Sequence, residues 1–156
     1  TGLTGFGQGQ VTATPLQIAM VAAGIANEGV VMNPRLVDTV IGNDLSVIRS
    51  YDDTQFGHAT DATIADQITA SMVASVSNGA AQGARIDGVD VAGKTGTTEN
   101  GNKPYTLWFT GFAPADDPEV AVAVLVEDGG GQGQSGSGDT IAAPIAKKVI
   151  EAVLGR

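Results

Sequence analysis

Val89-Asp90-Val91-Ala92-Gly93-Lys94-Thr95-Gly96-Thr97 is the stretch that decides how this chain is read. A mostly apolar run leads into a cation, two hydroxyls and a glycine. Two more strand-like segments follow, Tyr105 to Phe112 and Glu119 to Glu127, and then a helical pattern to the end of the chain. A lysine ammonium at such a strand end puts positive charge beside a reacting group, and a threonine hydroxyl can bind a carboxylate. Glycine, with no side chain, lets a ligand backbone lie against the strand, and the next N–H can serve an oxyanion hole.

Ala115-Asp116-Asp117-Pro118 separates the two downstream segments and reads as a hairpin connection rich in turn formers. Val120, Val122, Val124 and Val126 favour strand, and their near-continuous apolar run implies burial on both faces. The pattern predicts Val91 to Thr97 antiparallel to Leu107 to Phe112, which in turn pairs with Val120 to Val126. Ile141, Ile145, Val149 and Ala152 predict a closing helix that covers one face of this sheet through Ile145 and Val149, with Pro144 making its first turn irregular. The fold class is α+β, an antiparallel sheet flanked by helices.

Upstream, Thr1 to Gln10 is glycine-rich and reads as loop. Thr14-Pro15-Leu16-Gln17 starts a helix: Thr14 caps it, Pro15 fits the first helical position and Gln17 completes a capping box. Leu16, Ala19, Met20, Ala23 and Ala26 form its apolar stripe, and Asn27-Glu28-Gly29 ends it. Met32-Asn33-Pro34 turns the chain into extended segments around Leu36 to Ile41 and Val47 to Tyr51. A second helix runs from Asp61 or Thr63 to Asn78-Gly79, with Ile64, Ile68, Met72 and Val76 on one core-facing stripe.

Composition narrows the function. The 156 residues suit one domain, and 42% hydrophobic with 16% charged residues is enough to build a core. A net charge of −9 argues against nucleic acid as a partner. There is no cysteine, hence no disulfide or thiolate site. No metal site or cofactor is expected. Apolar stretches fall far short of the roughly 20 residues of a membrane span, so any anchor or export signal is expected outside this chain.

Several segments together resemble the transpeptidase domain of penicillin-binding proteins. They are Gly9-Gln10-Val11-Thr12-Ala13-Thr14-Pro15-Leu16-Gln17-Ile18-Ala19, Ala26-Asn27-Glu28-Gly29-Val30, Ala92-Gly93-Lys94-Thr95-Gly96-Thr97, Trp108-Phe109-Thr110-Gly111-Phe112-Ala113-Pro114 and Ala142-Ala143-Pro144-Ile145. K-T-G is itself a motif of these proteins and of class A β-lactamases. The region from Val122 to Gly129 and the closing helix are most similar to class B members from actinobacteria. The resemblance implies a five-stranded antiparallel sheet beside a helical subdomain. It also implies acyl transfer: a serine attacks the D-alanyl-D-alanine end of a peptidoglycan stem peptide, and β-lactam antibiotics acylate the same serine. By resemblance, Lys94 tunes the electrostatics and assists proton transfer. Thr95 and Thr97 hold the substrate carboxylate, Gly96 keeps the strand open to substrate, and the Thr97 N–H donates to the oxyanion. The location implied is the extracytoplasmic face of the bacterial membrane.

One departure from the family pattern sets the expected limits of the chain. S-x-x-K and S-x-N are both missing, since Ser46, Ser50, Ser71, Ser75, Ser77, Ser135 and Ser137 all lack a lysine three residues on. A serine nucleophile needs a base within reach. The chain is therefore expected to be the C-terminal part of a transpeptidase domain, inactive alone, whose partner is the upstream part of the same domain. A β-lactamase and a non-catalytic β-lactam sensor of the same fold are the alternatives. Gly131-Gln132-Gly133-Gln134-Ser135-Gly136 fits a dinucleotide fingerprint but lacks the strand and acidic residue that should follow, so Asp128 to Asp139 is expected to be a mobile loop near the cleft. His58, Asp52-Asp53 and Asp116-Asp117 are expected to be surface turn residues, Trp108 to pack beneath the site strand, and Glu99 to face solvent.

Overall fold

A computed structural model describes residues 2–9 and 11–155. Thr1, Gln10 and Arg156, which include both ends of the expected opening loop, lie outside the described residues. The element order is α1 (Pro15–Ala26), β1 (Val30–Met32), β2 (Thr39–Ile41), β3 (Val47–Ser50), β4 (Gln55–His58), α2 (Ala62–Asn78), β5 (Ala92–Asn100), β6 (Lys103–Ala113), β7 (Val120–Val126) and α3 (Ala143–Val153). Within the opening segment, Leu3–Phe6 forms a 3-10 turn rather than plain loop.

β5, β6 and β7 form one antiparallel sheet in that order. Lys94 pairs with Thr110, Gly96 with Trp108 and Thr97 with Leu107. On the other side Phe109 pairs with Val124 and Phe112 with Ala121. Alternate residues of β6 feed two cores, as a period of two requires. Phe109 and Ala113 pack with Val76, Ile86, Val91, Ala143, Ala146 and Ile150, whereas Phe112 packs with Ala22, Met72 and Ala92. The sheet is thus covered by α3 on one face and by α1 on the other, and α2 contributes Val76 to the first core and Met72 to the second. Leu107, Phe109 and Phe112 are fully buried, and burying a side chain of that size stabilises by about 1.5–3 kcal/mol.

Local signals explain the helix ends. Thr14 accepts from the Gln17 N–H while Gln17 reaches back to the Thr14 N–H, completing the expected capping box. The Asp61 carboxylate accepts from the Ile64 N–H at 2.9 Å, capping α2.

The helix faces are where the sequence reading fails. α3 does not cover the sheet through Ile145 and Val149, which are 44% and 43% exposed; its buried face is Ala143, Ala146 and Ile150. A π-helical turn over Gly138–Ala142 runs directly into α3. Each residue advances a helix by about 100°, so the wider turn throws a count from Ile141 out of phase. On α1 the expected stripe is also off. Leu16 and Ala23 are exposed, and Ala22 and Gly24 are the buried positions. On α2, Met72 and Val76 are buried as expected while Ile64 is exposed.

Residues 30–58 form an arm of two ribbons that meets α1 where Val31 lies against Gly24. β1 pairs with β4 and β2 pairs with β3, all antiparallel. β1 and β4 were not expected, and His58 lies in strand β4 rather than in a turn, with its side chain exposed as anticipated. Among the described residues no helix is long and apolar enough to cross a membrane.

Candidate active site

Lys94, Thr95, Gly96 and Thr97 all lie on β5, at the outer edge of the sheet. β5 has no strand partner on its far side among the described residues, so half of its backbone groups face outward. The contacts show which half. The Thr97 carbonyl accepts from Gln8 Nε2 at 3.0 Å, and the Thr95 carbonyl accepts from Lys94 Nζ at 2.8 Å. In a strand the N–H and C=O of one residue point to the same side. Thr95 and Thr97 therefore turn their N–H groups to the open edge as well, and Lys94, Gly96 and Thr98 bond to β6.

An open cleft of roughly 560 Å³ runs along this edge. Lys94 to Thr98 and Trp108 to Thr110 form one wall, and parts of the segment from Thr4 to Ile18 form the other. The structure thus brings all four expected residues to one cleft. Lys94 is exposed, while Thr95, Gly96 and Thr97 are half-buried. The Lys94 side chain also reaches a second, mainly apolar groove between α1 and α2, lined by Val21, Ile25, Ile68 and Met72 among others. It therefore sits at the junction of two concave surfaces.

The two hydroxyls are not equivalent. Thr95 Oγ1 donates to the Ala80 carbonyl at 2.9 Å, in the turn that follows α2. A hydroxyl has one proton to give, so Thr95 can donate to a carboxylate only by releasing Ala80. The exchange trades a neutral hydrogen bond for a charge-assisted one, which is the stronger kind. Thr97 Oγ1 makes no hydrogen bond among the described residues and faces no such competition.

Support comes from behind and beneath. Phe109 lies over Gly93, where a Cβ would come within 2.6 Å of its ring. Gly138 sits further along the same face, against Thr95, and a Cβ there would overlap the Trp108 carbonyl oxygen. Both contacts require glycine. Asp139 Oδ1 accepts from the Gly83 N–H at 2.7 Å, tying the start of the π-helical turn to the segment that holds Ala80.

The loop from Asp128 to Asp139 is strapped down rather than hanging free. Gln134 Nε2 donates to the carbonyls of Gly101 and Lys103 at 2.7 and 3.0 Å, and the Tyr105 N–H donates to the Gly133 carbonyl. Left-handed backbone at Gly129, Gly130, Gly131 and Gly133 makes this path possible. Trp108 stands beside Gly96 and lines the cleft instead of packing beneath the strand. Glu99 is exposed.

Among the described residues no serine pairs with a base. Ser71 and Ser75 line the same groove as Lys94, yet Ser71 Oγ donates to the Gln67 carbonyl one turn back, and the hydrogen bond of Lys94 Nζ goes to Thr95. Asp53 pairs with Arg35 at 3.0 Å, as an exposed turn carboxylate would. Sequence reasoning missed Gln8. Its partner lies 89 residues away, and nothing local marks a glutamine in a glycine-rich stretch.

Residues 1–151 match the family model for the penicillin-binding protein transpeptidase domain. The peptidoglycan D,D-transpeptidase PbpA of Mycolicibacterium smegmatis is 46% identical over 157 residues, covering 98% of this chain and 32% of the relative. PbpA of Mycobacterium tuberculosis H37Rv is 43% identical over the same length and shares. The ceftriaxone acyl-enzyme complex of penicillin-binding protein A from M. tuberculosis superposes with a TM-score of 0.91, covering 98% of this chain and 35% of that one. A D,D-transpeptidase domain from Eggerthella lenta, 38% identical, superposes at 0.82 over 92% of this chain and 32% of that one. The chain spans about a third of the length of these relatives. With residues 1–151 matched by the family model, this chain belongs to the penicillin-binding protein transpeptidase domain family.

Proposed function

We propose that this chain is the C-terminal part of a peptidoglycan D,D-transpeptidase domain that cross-links stem peptides through a serine acyl-enzyme. The observation that carries the reading is the open edge of β5, where the outward N–H and free hydroxyl of Thr97 line one cleft with exposed Lys94. The Thr97 N–H stabilises the oxyanion of the tetrahedral intermediate. Thr97 and Thr95 bind the substrate carboxylate, Thr95 after leaving Ala80. Gly96 leaves room for the substrate backbone, and Lys94 supplies positive charge and assists proton transfer. The nucleophilic serine and its lysine base come from the upstream part of the domain. The outer edge of β7, also unpaired among the described residues, is where the further strands of the family's five-stranded sheet fit.

β-Lactam antibiotics bind the same cleft and acylate the same serine, as the acyl-enzyme structures of the M. tuberculosis relative support. The intact protein works at the extracytoplasmic face of the membrane, held by an anchor outside this chain. Intact-mass analysis after penicillin treatment tests the reading. The intact polypeptide should carry one long-lived penicilloyl group and join stem peptides in vitro, and these 156 residues alone should carry none. Rapid loss of the adduct would make the protein a β-lactamase. A stable adduct without cross-linking would make it a sensor.

A further inference from the structure

We infer that Gln8 is a positioning residue for the oxyanion and carboxylate ligands on β5, an inference that rests on the transpeptidase reading of this cleft. Gln8 is half-buried and stands in the wall opposite the site strand. Its carboxamide nitrogen donates to the Thr97 carbonyl at 3.0 Å. That carbonyl is on the edge of β5 with no neighbouring strand, where the ladder to β6 cannot hold it. The peptide group from Thr97 to Thr98 would otherwise be fixed only through its N–H on the β6 side. By holding the carbonyl, Gln8 sets the ψ of Thr97 and so the direction in which its N–H and hydroxyl meet a ligand. Donors held in place before the reaction do not spend free energy on reorientation during it.

The contact also leaves the cleft usable. A carbonyl oxygen has two lone pairs, so the Gln8 bond occupies one and a ligand N–H can take the other. Gln8 reaches this carbonyl from a glycine-rich stretch, Gly5-Phe6-Gly7-Gln8-Gly9, with positive φ at Gly7 and Gly9. The loop conformation therefore delivers the Gln8 side chain to the edge.

The test uses the intact polypeptide with Gln8→Leu, Gln8→Glu and Gln8→Lys. Leu and Glu remove the N–H donor, and Lys keeps one at similar reach. Stopped-flow acylation by a fluorescent penicillin separates binding from the acylation step. The Leu and Glu variants should acylate about three- to tenfold more slowly, the effect of one neutral hydrogen bond. Their melting temperatures should be unchanged, and Gln8→Lys should stay within twofold of the parent throughout. Parental acylation rates in the Leu and Glu variants overturn the inference. So does a loss shared by the Lys variant or matched by a fall in melting temperature. A second readout does not depend on activity: in threonine-labelled protein, the Thr98 amide nitrogen, which shares the peptide group Gln8 contacts, should shift in Gln8→Leu and return in Gln8→Lys. A parent that takes up no penicillin sinks the transpeptidase reading, while an unmoved Thr98 resonance sinks the Gln8 contact itself.

Discussion

In the β5–β6–β7 sheet, Leu107, Phe109 and Phe112 are completely buried, whereas in the arm of residues 30–58, Leu36, Leu45 and Phe56 are 104%, 77% and 71% exposed. The strands of both regions carry valine and phenylalanine, while Leu36 and Leu45 lie in the arm's connections. What differs is the cover. The sheet has three strands, with α3 against one face, α1 against the other and α2 packed into both cores. The arm has two ribbons of two strands each, and an isolated two-stranded ribbon is marginal in water. Apolar character along a strand thus states only that the strand can be buried. Whether it is depends on which elements the topology brings to it.

That contrast also separates where function can be built. Ligands must be held with little freedom, so a site belongs on an element fixed from both sides. β5 meets that need: its inner edge is paired, one face rests on Phe109, and its outer edge is open. The first ribbon of the arm touches α1 where Val31 lies against Gly24, and beyond that contact the arm is held by short, exposed pairs. Arg35 pairs with Asp38 and Asp53 at 2.7 and 3.0 Å and also donates to the Tyr51 carbonyl, and Arg49 lies 4.5 Å over the Tyr51 ring. Such exposed pairs contribute little individually.

The largest effect should come from removing the cover's anchor. In the intact polypeptide, Phe109→Ala should destabilise by about 3–5 kcal/mol, the range for deleting a buried aromatic ring. Chemical denaturation measures it. Phe56→Ala in the arm should cost under about 0.5 kcal/mol, as surface changes usually do. Similar costs at the two positions would erase the distinction between the regions.

Next in size is the site itself. Lys94→Ala in the intact polypeptide should slow acylation by a fluorescent penicillin at least tenfold, or about 1.4 kcal/mol in the barrier. Because Lys94 is exposed, stability should hardly change. A rate within twofold of the parent would remove Lys94 from the site. A large loss of stability would mean that β5 is held by the lysine rather than holding it.

A smaller effect tests the helix that covers β5. Asp61→Ala removes the carboxylate that accepts from the Ile64 N–H and should cost about 1 kcal/mol, typical for a lost N-cap. Thermal unfolding reads it directly. No change would show that the start of α2 is held by its packing alone.

The same contrast explains what the sequence could show. Signals that act over a few residues were legible: the Thr14–Gln17 capping box, the Asp116-Asp117-Pro118 turn, and the K-T-G-T strand with its two antiparallel neighbours. Signals that depend on distant partners were not. Ala143, Ala146 and Ile150 rather than Ile145 and Val149 face the sheet because a π-helical turn shifts the phase of α3. On α1 the tightest positions are Ala22 and Gly24, since close approach to neighbouring elements selects small residues over large ones such as Leu16. β1 and β4 are three and four residues long, too short for a period to declare itself. Gln8 finds its partner across most of the chain. The site strand was readable because its chemistry lies in consecutive residues, and its supports were not because they come from elsewhere.

The smallest expected effect bears most directly on the arm. Leu45 and Ile48 are 77% and 67% exposed, and Leu45 also adopts a positive φ of 65° in the β2–β3 turn. That conformation costs a branched L-residue of order 1 kcal/mol, and no burial offsets it here. The turn is held instead by Asp44, whose carboxylate accepts from the Ser46 hydroxyl and N–H at 2.6 and 3.1 Å. These bonds hold the Asp44 carboxyl below the usual carboxylate range. A depressed folded-state value stabilises above the unfolded value, near 3.8, and the contribution fades as pH falls through the folded one. The turn should therefore be insensitive to pH from 5 to 8 and loosen only in acid, as a carboxyl titration followed by NMR would show. Leu45→Ser and Ile48→Ser should each change the stability of the intact polypeptide by no more than about 0.5 kcal/mol at neutral pH. A cost above about 1 kcal/mol at either position would mean that the rest of the intact protein buries the arm. The contrast with the sheet would then belong to these 156 residues and not to the whole molecule.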